Sequence, residues 1–168
     1  PLKHGKTLWR IGEADRLAAG FKLADAPRAY DNFLKSPDTL DFTIGKSKDA
    51  DWFYCQRPKS NYRIHFKVKK IEGDSCHLTL STAASSLLPV IRVMVNGKQA
   101  GEFSNWENNR DGAVYRSATQ GGYRELHTVA FPAQMLKKGS NTIEITYPKG
   151  RRHGKGGIIW DCLKLEIE

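Results

Sequence analysis

From Asn61 onward, apolar residues recur at every second position, the period of strands whose side chains alternate between a core and solvent. Tyr62, Ile64, Phe66 and Val68 alternate with Arg63, His65, Lys67 and Lys69. Leu78 and Leu80 form a second short run, and Ile91, Val93 and Val95 lead into Asn96-Gly97, a pair at ease with positive φ and therefore a strong hairpin signal. Val129 and Phe131 precede a break at Pro132 and are followed by Ile143, Ile145 and Tyr147. At the C-terminus Leu163, Leu165 and Ile167 alternate with Lys164, Glu166 and Glu168. Many short strands without a strong amphipathic helix predict an all-β fold, a β-sandwich or jelly roll.

Two segments break the alternation. Residues 12 to 38 mix Ala, Asp, Pro and single aromatics, which predicts irregular chain with at most a helical turn or two near Asp15 to Ala19 or Ala29 to Leu34. The chain therefore reads as a single domain over 1–168, with residues 1–38 an irregular N-terminal part packed on the sandwich; 168 residues suffice for one self-sufficient core and not for two. The stretch from Ser104 to Arg124 is too long for a plain connection, and long irregular segments in compact domains tend to carry function.

Composition narrows the partners. Apolar residues make up 39% and charged residues 27%, as in an ordinary soluble globular protein. No uninterrupted apolar run approaches the roughly 18 to 20 residues of a membrane helix, so no membrane partner is expected. Pro1, Leu2, Lys3 and His4 carry neither an initiator Met nor a signal-peptide core, the look of a mature segment or an excised domain. Lys and Arg outnumber Asp and Glu 27 to 18, a formal charge of +9 that favours nucleic acid, anionic lipid or acidic polysaccharide. Nucleic acid is set aside because no RNA- or DNA-binding motif accompanies the charge. Cys55, Cys76 and Cys162 are too few and too scattered for a disulfide framework and lack metal-ligand spacing. At least one is expected to be a buried small hydrophobe, with a single bridge left open. His4, His65, His77, His127 and His153 are dispersed and form no zinc motif.

Sugar recognition needs flat aromatic faces for the apolar side of a ring and planar donors for hydroxyls and carboxylates, a task for which the Arg fork is suited. Within 104 to 124, Trp106, Tyr115 and Tyr123 supply faces, while Asn105, Asn109, Arg110, Arg116 and Arg124 supply donors. The competing reading has the tyrosines pack the loop onto the sandwich and the arginines pair with Asp111 or Glu125. A second candidate is Lys149 to Lys155, where Arg151, Arg152 and Lys155 stand among glycines that let the backbone approach a ligand; its competitor is a solvated loop. A third candidate is the polar face of the 61 to 69 strand, where Arg63, His65, Lys67 and Lys69 recur about 6.6 Å apart; the favoured reading there is that of outward cations guarding a sheet against edge-to-edge association. Nothing forms a nucleophile elbow, phosphate loop or paired-carboxylate motif, so no catalytic residue is assigned.

Three groups of residues carry a resemblance. Leu8 to Phe21, LWRIGEADRLAAGF, is the first; Phe42 to Gln56, FTIGKSKDADWFYCQ, is the second; the third joins Arg110 to Tyr123, Leu136 to Ile145 and Gly157 to Glu166. In order and spacing they resemble the C-terminal domain (domain III) of family 4 rhamnogalacturonan lyases. The resemblance implies a galactose-binding-domain-like β-sandwich of carbohydrate-binding type. It further implies a monomeric, non-catalytic module for acidic plant cell-wall polysaccharide, rhamnogalacturonan I or homogalacturonan. β-Elimination would belong to a catalytic lyase domain in the parent chain, and the location would be extracellular, at the cell surface or periplasmic. No cofactor is required, but a structural Ca²⁺ is implied, held by Asp161 with Glu13 or Asp15; the competing role for Asp161 is to cap a turn or pair with a cation. The alternative to glycan binding is a structural domain that packs on the lyase, a reading that draws on the aromatics Trp9, Trp52 and Trp160.

Overall fold

The computed structural model describes residues 4–24, 34–86, 89–104, 125–149 and 157–168. Alternation appears most plainly in β4 (Ser60–Val68), where Tyr62, Ile64, Phe66 and Val68 are buried and their neighbours are not, and again in β9 (Gly139–Tyr147). Two five-stranded sheets result. In the first, β1 (Lys6–Gly12), β10 (Gly157–Ile167), β5 (Ser75–Ser86) and β8 (Glu125–Pro132) follow in that order, with β3 (Cys55–Gln56) also paired to β10. In the second the order is β2 (Thr39–Thr43), β4, β9, β6 (Ile91–Val95) and β7 (Lys98–Phe103). Among the described residues the named strands pair antiparallel except β2 with β4, and an isolated bridge between Lys22 and Phe53 is parallel.

Leu78, Leu80, Leu163 and Leu165 of the first sheet and Ile64, Val93, Ile143 and Ile145 of the second are all fully buried in one shared cluster. Burial of such side chains stabilises the fold by about 1.5–3 kcal/mol each relative to exposure. The three cysteines are buried and joined in no disulfide among the described residues. Burial pushes the Cys76 thiol up to about 11 and Cys162 to about 12, and raises Cys55 as well, so none is a ready nucleophile.

The N-terminal part differs from the expectation of irregular chain over 1–38. Residues Lys6–Gly12 form β1, hydrogen-bonded along β10. A register shift between Thr7 and Trp9 puts Leu8 and Trp9 out of a simple two-residue period, which hides the strand from a reading by alternation. Around Asp15 to Ala19 there are bends instead of a helical turn, with Arg16 at φ 71. Ala29 to Phe33 lie outside the described residues. The segment after β1 seats Ala18, Phe21 and Ala24 in the core and is tied to 52–54 by Lys22 N–H donating to Trp52 O (2.8 Å) and Tyr54 N–H to Lys22 O (3.2 Å).

Gly12 is where that segment leaves the sheet. At φ +78 it adopts a left-handed conformation, and a Cβ there would lie 2.5 Å from Phe21 Cζ and 2.6 Å from the Asp161 carbonyl oxygen. Gly12→Ala is therefore expected to cost about 2 kcal/mol, read as a lower urea midpoint with an unchanged slope; a midpoint equal to that of the unaltered protein refutes it.

Candidate functional site

Strand registers bring together, at one end of the sandwich, the described strand ends that border residues 105–124 and 150–156. Gly157 pairs with Ser86, Thr82 with Glu125, Ile91 with Phe103, and Ser60 with Tyr147. The ends of β5, β7 and β9 and the starts of β8 and β10 thus share a pole, which β1 also reaches at Gly12, opposite Cys162. Of the predicted ligand-binding residues, Trp106, Asn109, Arg110, Tyr115, Arg116, Tyr123, Arg124, Arg151, Arg152 and Lys155 all lie outside the described residues.

Asp161 is the polar anchor of this pole. Register shifts in β10 on either side of Trp160 set it beside Ser81 and the segment after β1. Its Oδ1 accepts the Arg16 N–H (2.8 Å) and the Asp15 N–H (3.2 Å), and its Oδ2 accepts the Ser81 hydroxyl (2.6 Å). The side chain is 1% exposed. Burial raises the Asp161 pKa above the usual carboxylate value; the Ser81 hydroxyl and the two amides oppose the rise, and the charge of Asp15 adds to it.

Calcium would need six to eight oxygens around one point. Asp161 is instead occupied by three hydrogen donors, and Glu13 is paired with Arg10. Among the described residues no group of three or more His, Cys, Asp or Glu could hold a metal ion. Among the described residues Asp161 thus serves as a carboxylate that holds a turn, the competing role considered above.

Beneath the pole lies an aromatic floor. Trp52 meets Phe42, Tyr62 and Trp160 edge-on, at centroid distances of 5.8, 5.3 and 6.3 Å. Tyr62 donates its hydroxyl to Cys55 O (2.6 Å), and burial pushes its phenol well above the ordinary value. Gln56 Nε2 donates to Ile145 O (2.8 Å), which ties β3 of one sheet to β9 of the other. Trp9, Trp52 and Trp160 are all buried within the cluster, so they hold the two sheets together and offer no ring to a ligand or a neighbouring domain.

The outward face of the second sheet is a hydrogen-bonded lattice. Arg63 donates from Nε (2.8 Å) and Nη2 (2.7 Å) to the two oxygens of Asp41, and His65 Nε2 lies 2.7 Å from Asp41 Oδ1 and Nδ1 3.1 Å from Thr142 Oγ1. The Arg63 and then the His65 hydrogen bonds hold the Asp41 carboxyl below its usual value. Asn61 donates from Nδ2 to Glu144 (2.8 Å) and accepts the Thr146 hydroxyl at Oδ1 (3.1 Å), while Arg92 pairs with Glu102 (2.9 Å). Of the cations expected to guard a sheet edge, Arg63 and His65 are thus bound to β2, because over 61–65 their strand is flanked by β2 and β9. Lys67 and Lys69 remain exposed. The partners Asp41 and Glu144 were missed by alternation, which shows which residues share a face but not which strand lies alongside.

Two five-stranded sheets packed on one shared core define a β-sandwich, the fold of the galactose-binding-like carbohydrate-binding modules. By sequence, residues 7–165 match the family described as "CBM-like: Polysaccharide lyase family 4, domain III", and the chain belongs to that family. It is 33% identical over 168 positions to a rhamnogalacturonate lyase of Dickeya dadantii, covering 94% of this chain and 27% of that protein. To a probable rhamnogalacturonate lyase A of Aspergillus clavatus it is 27% identical, covering 98% of this chain and 32% of the relative. The chain thus spans about a third or less of the length of these relatives. In fold it is similar to part of a family GH115 4-O-methyl-α-glucuronidase, with a TM-score of 0.51 and 12% identity over 100% of this chain and 19% of that one.

Proposed function

We propose that this chain is a non-catalytic module that binds acidic pectic polysaccharide, rhamnogalacturonan I or homogalacturonan, and holds a lyase domain of a longer parent protein against it. The observation that carries this reading is the family match over 7–165, in a chain of formal charge +9. The named activity of the full-length relatives supports a lyase as the parent and a cell-wall location, extracellular or periplasmic. Among the described residues no helix is long and apolar enough to cross a membrane. A non-catalytic role is supported by the match to a carbohydrate-binding-type domain that makes up about a third or less of the lyases it resembles.

Titration calorimetry against rhamnogalacturonan, homogalacturonan and a neutral galactan tests the reading. The acidic chains are expected to bind and the galactan not, with affinity falling several-fold as salt rises from about 0.01 to 0.15 M, because the screening length shrinks from about 30 to 8 Å. Heat exchange with none of the three would sink it. A domain that serves only to pack on the lyase is less favoured, since Trp9, Trp52 and Trp160 are interior.

A further inference from the structure

The exposed lysines left out of these networks gather at the opposite pole. Lys67 and Lys69 stand at the end of β4, whose register with β9 sets Lys67 against Ser140 and Val68 against Gly139, beside the turn that carries Lys137 and Lys138. That turn is clamped. The Asn141 side chain, 2% exposed, accepts the Lys137 N–H at Oδ1 (2.8 Å) and donates from Nδ2 to Lys137 O (2.8 Å) and Gly139 O (3.0 Å). Asn96 donates to the same Asn141 Oδ1 (2.9 Å) and to Met135 O (2.9 Å), and accepts the Thr142 N–H (2.9 Å). The hairpin bearing Lys98 is thereby joined to the turn bearing Lys137 and Lys138.

Two asparagine amides therefore fix the backbone under a group of cations drawn from three separate parts of the sequence. Of the acids in the connection that follows β4, Glu72 is met by Lys70 (3.4 Å) and Lys6 (3.5 Å), and Asp74 lies beside the start of the same turn, its carbonyl accepting the Ala133 N–H (2.9 Å). Lys67, Lys69, Lys98, Lys137 and Lys138 are exposed and have no acidic partner among the described residues. Such a group repels itself and gains when a polyanion lies across it. Lysine is a compact point charge on a flexible stem, suited to several carboxylates in succession and less to bidentate reading of one.

We infer that this lysine pole is a second contact surface for the acidic polysaccharide, one that takes a run of consecutive uronate residues. The inference rests on the proposed glycan-binding function and adds to it a place, at the other end of the sheets from Gly12 and Asp161, and a preference. A chain with a carboxylate on every sugar presents closer-spaced charges than rhamnogalacturonan I, whose uronates are separated by neutral sugars. Homogalacturonan is therefore the better ligand for this surface.

The test is gel retardation in polygalacturonate, rhamnogalacturonan I or duplex DNA, comparing the unaltered chain with Lys67→Gln/Lys69→Gln/Lys137→Gln/Lys138→Gln. All four side chains are solvent-facing, so the variant is expected to keep its Tm, which is measured alongside. Polygalacturonate affinity is expected to fall at least tenfold in the variant, with a shallower salt dependence and a smaller loss on rhamnogalacturonan I. Equal retention of both proteins by polygalacturonate overturns this inference and leaves the proposed function standing. If the unaltered chain is retarded by neither pectic polymer, the proposed function fails and this inference with it. Tighter binding of DNA than of polygalacturonate at equal salt, lost in the variant, assigns the surface to nucleic acid and overturns the uronate assignment.

Discussion

Replacing Trp52 with alanine is expected to lower the unfolding free energy by about 4 kcal/mol, the range for deleting a buried Trp. Trp52 is fully buried and touches Phe42 and Tyr62 of the second sheet and Trp160 of the first, so it fills space between the sheets. Its carbonyl also accepts the Lys22 N–H, which ties the N-terminal segment to the same point. An alanine would leave a cavity bordered by three rings held by their own strands, with little means of collapse. For a domain of this size the loss corresponds to a Tm lower by about 12 °C. Urea titration followed by far-UV circular dichroism measures it, and a loss under about 1 kcal/mol would show that the floor can repack.

Asp161→Ala is the second large effect, expected at about 3 kcal/mol, because it strands the Arg16 and Asp15 amides and the Ser81 hydroxyl in a buried place. Asp161→Asn keeps an acceptor for the amides and an amide group that the Ser81 oxygen can accept from, and should cost within about 1 kcal/mol of nothing. The two variants separate loss of hydrogen bonding from loss of charge. The pH dependence has a definite sign. Burial raises the folded carboxyl above its unfolded value, so the ionised form is the disfavoured one in the fold. That penalty is fully present above the folded value and is relieved as pH falls toward the unfolded value of about 3.9. The unaltered chain should therefore gain stability relative to Asp161→Asn between pH 7 and pH 4; a parallel fall of the two would contradict the raised pKa.

The sandwich was readable wherever large aliphatic and aromatic residues alternate with polar ones, as in β4, β9 and the C-terminal half of β10. It was unreadable where small residues do the packing. β5 runs from Ser75 to Ser86, and its second half, with Ala83, Ala84 and Ser85 buried, has no apolar beat to follow. β2 has only Leu40 and Phe42 facing inward, too few positions to establish a period. For the site, the sequence named Asp161 and the cations of β4 but not their partners. Asp41 lies beside Arg63, and Lys138 near Lys67, only because strands distant in the chain adopt one register.

The strand order bears on how the molecule is made. β10, the latest of the strands along the chain, is hydrogen-bonded to β1 on one side and β5 on the other, with β3 beside it as well. Until it is present, β1 has no partner in the first sheet and the β5–β8 pair has an open edge, so Trp9, Ile11, Leu78 and Leu80 have only half a wall to pack against. During synthesis the strands described before β10 can leave the ribosome without completing the sandwich, and assembly waits for β10. Such long-range closure is slow, and it exposes open strand edges meanwhile, so a nascent chain of this kind depends on crowding partners being kept away until its last strand slots in.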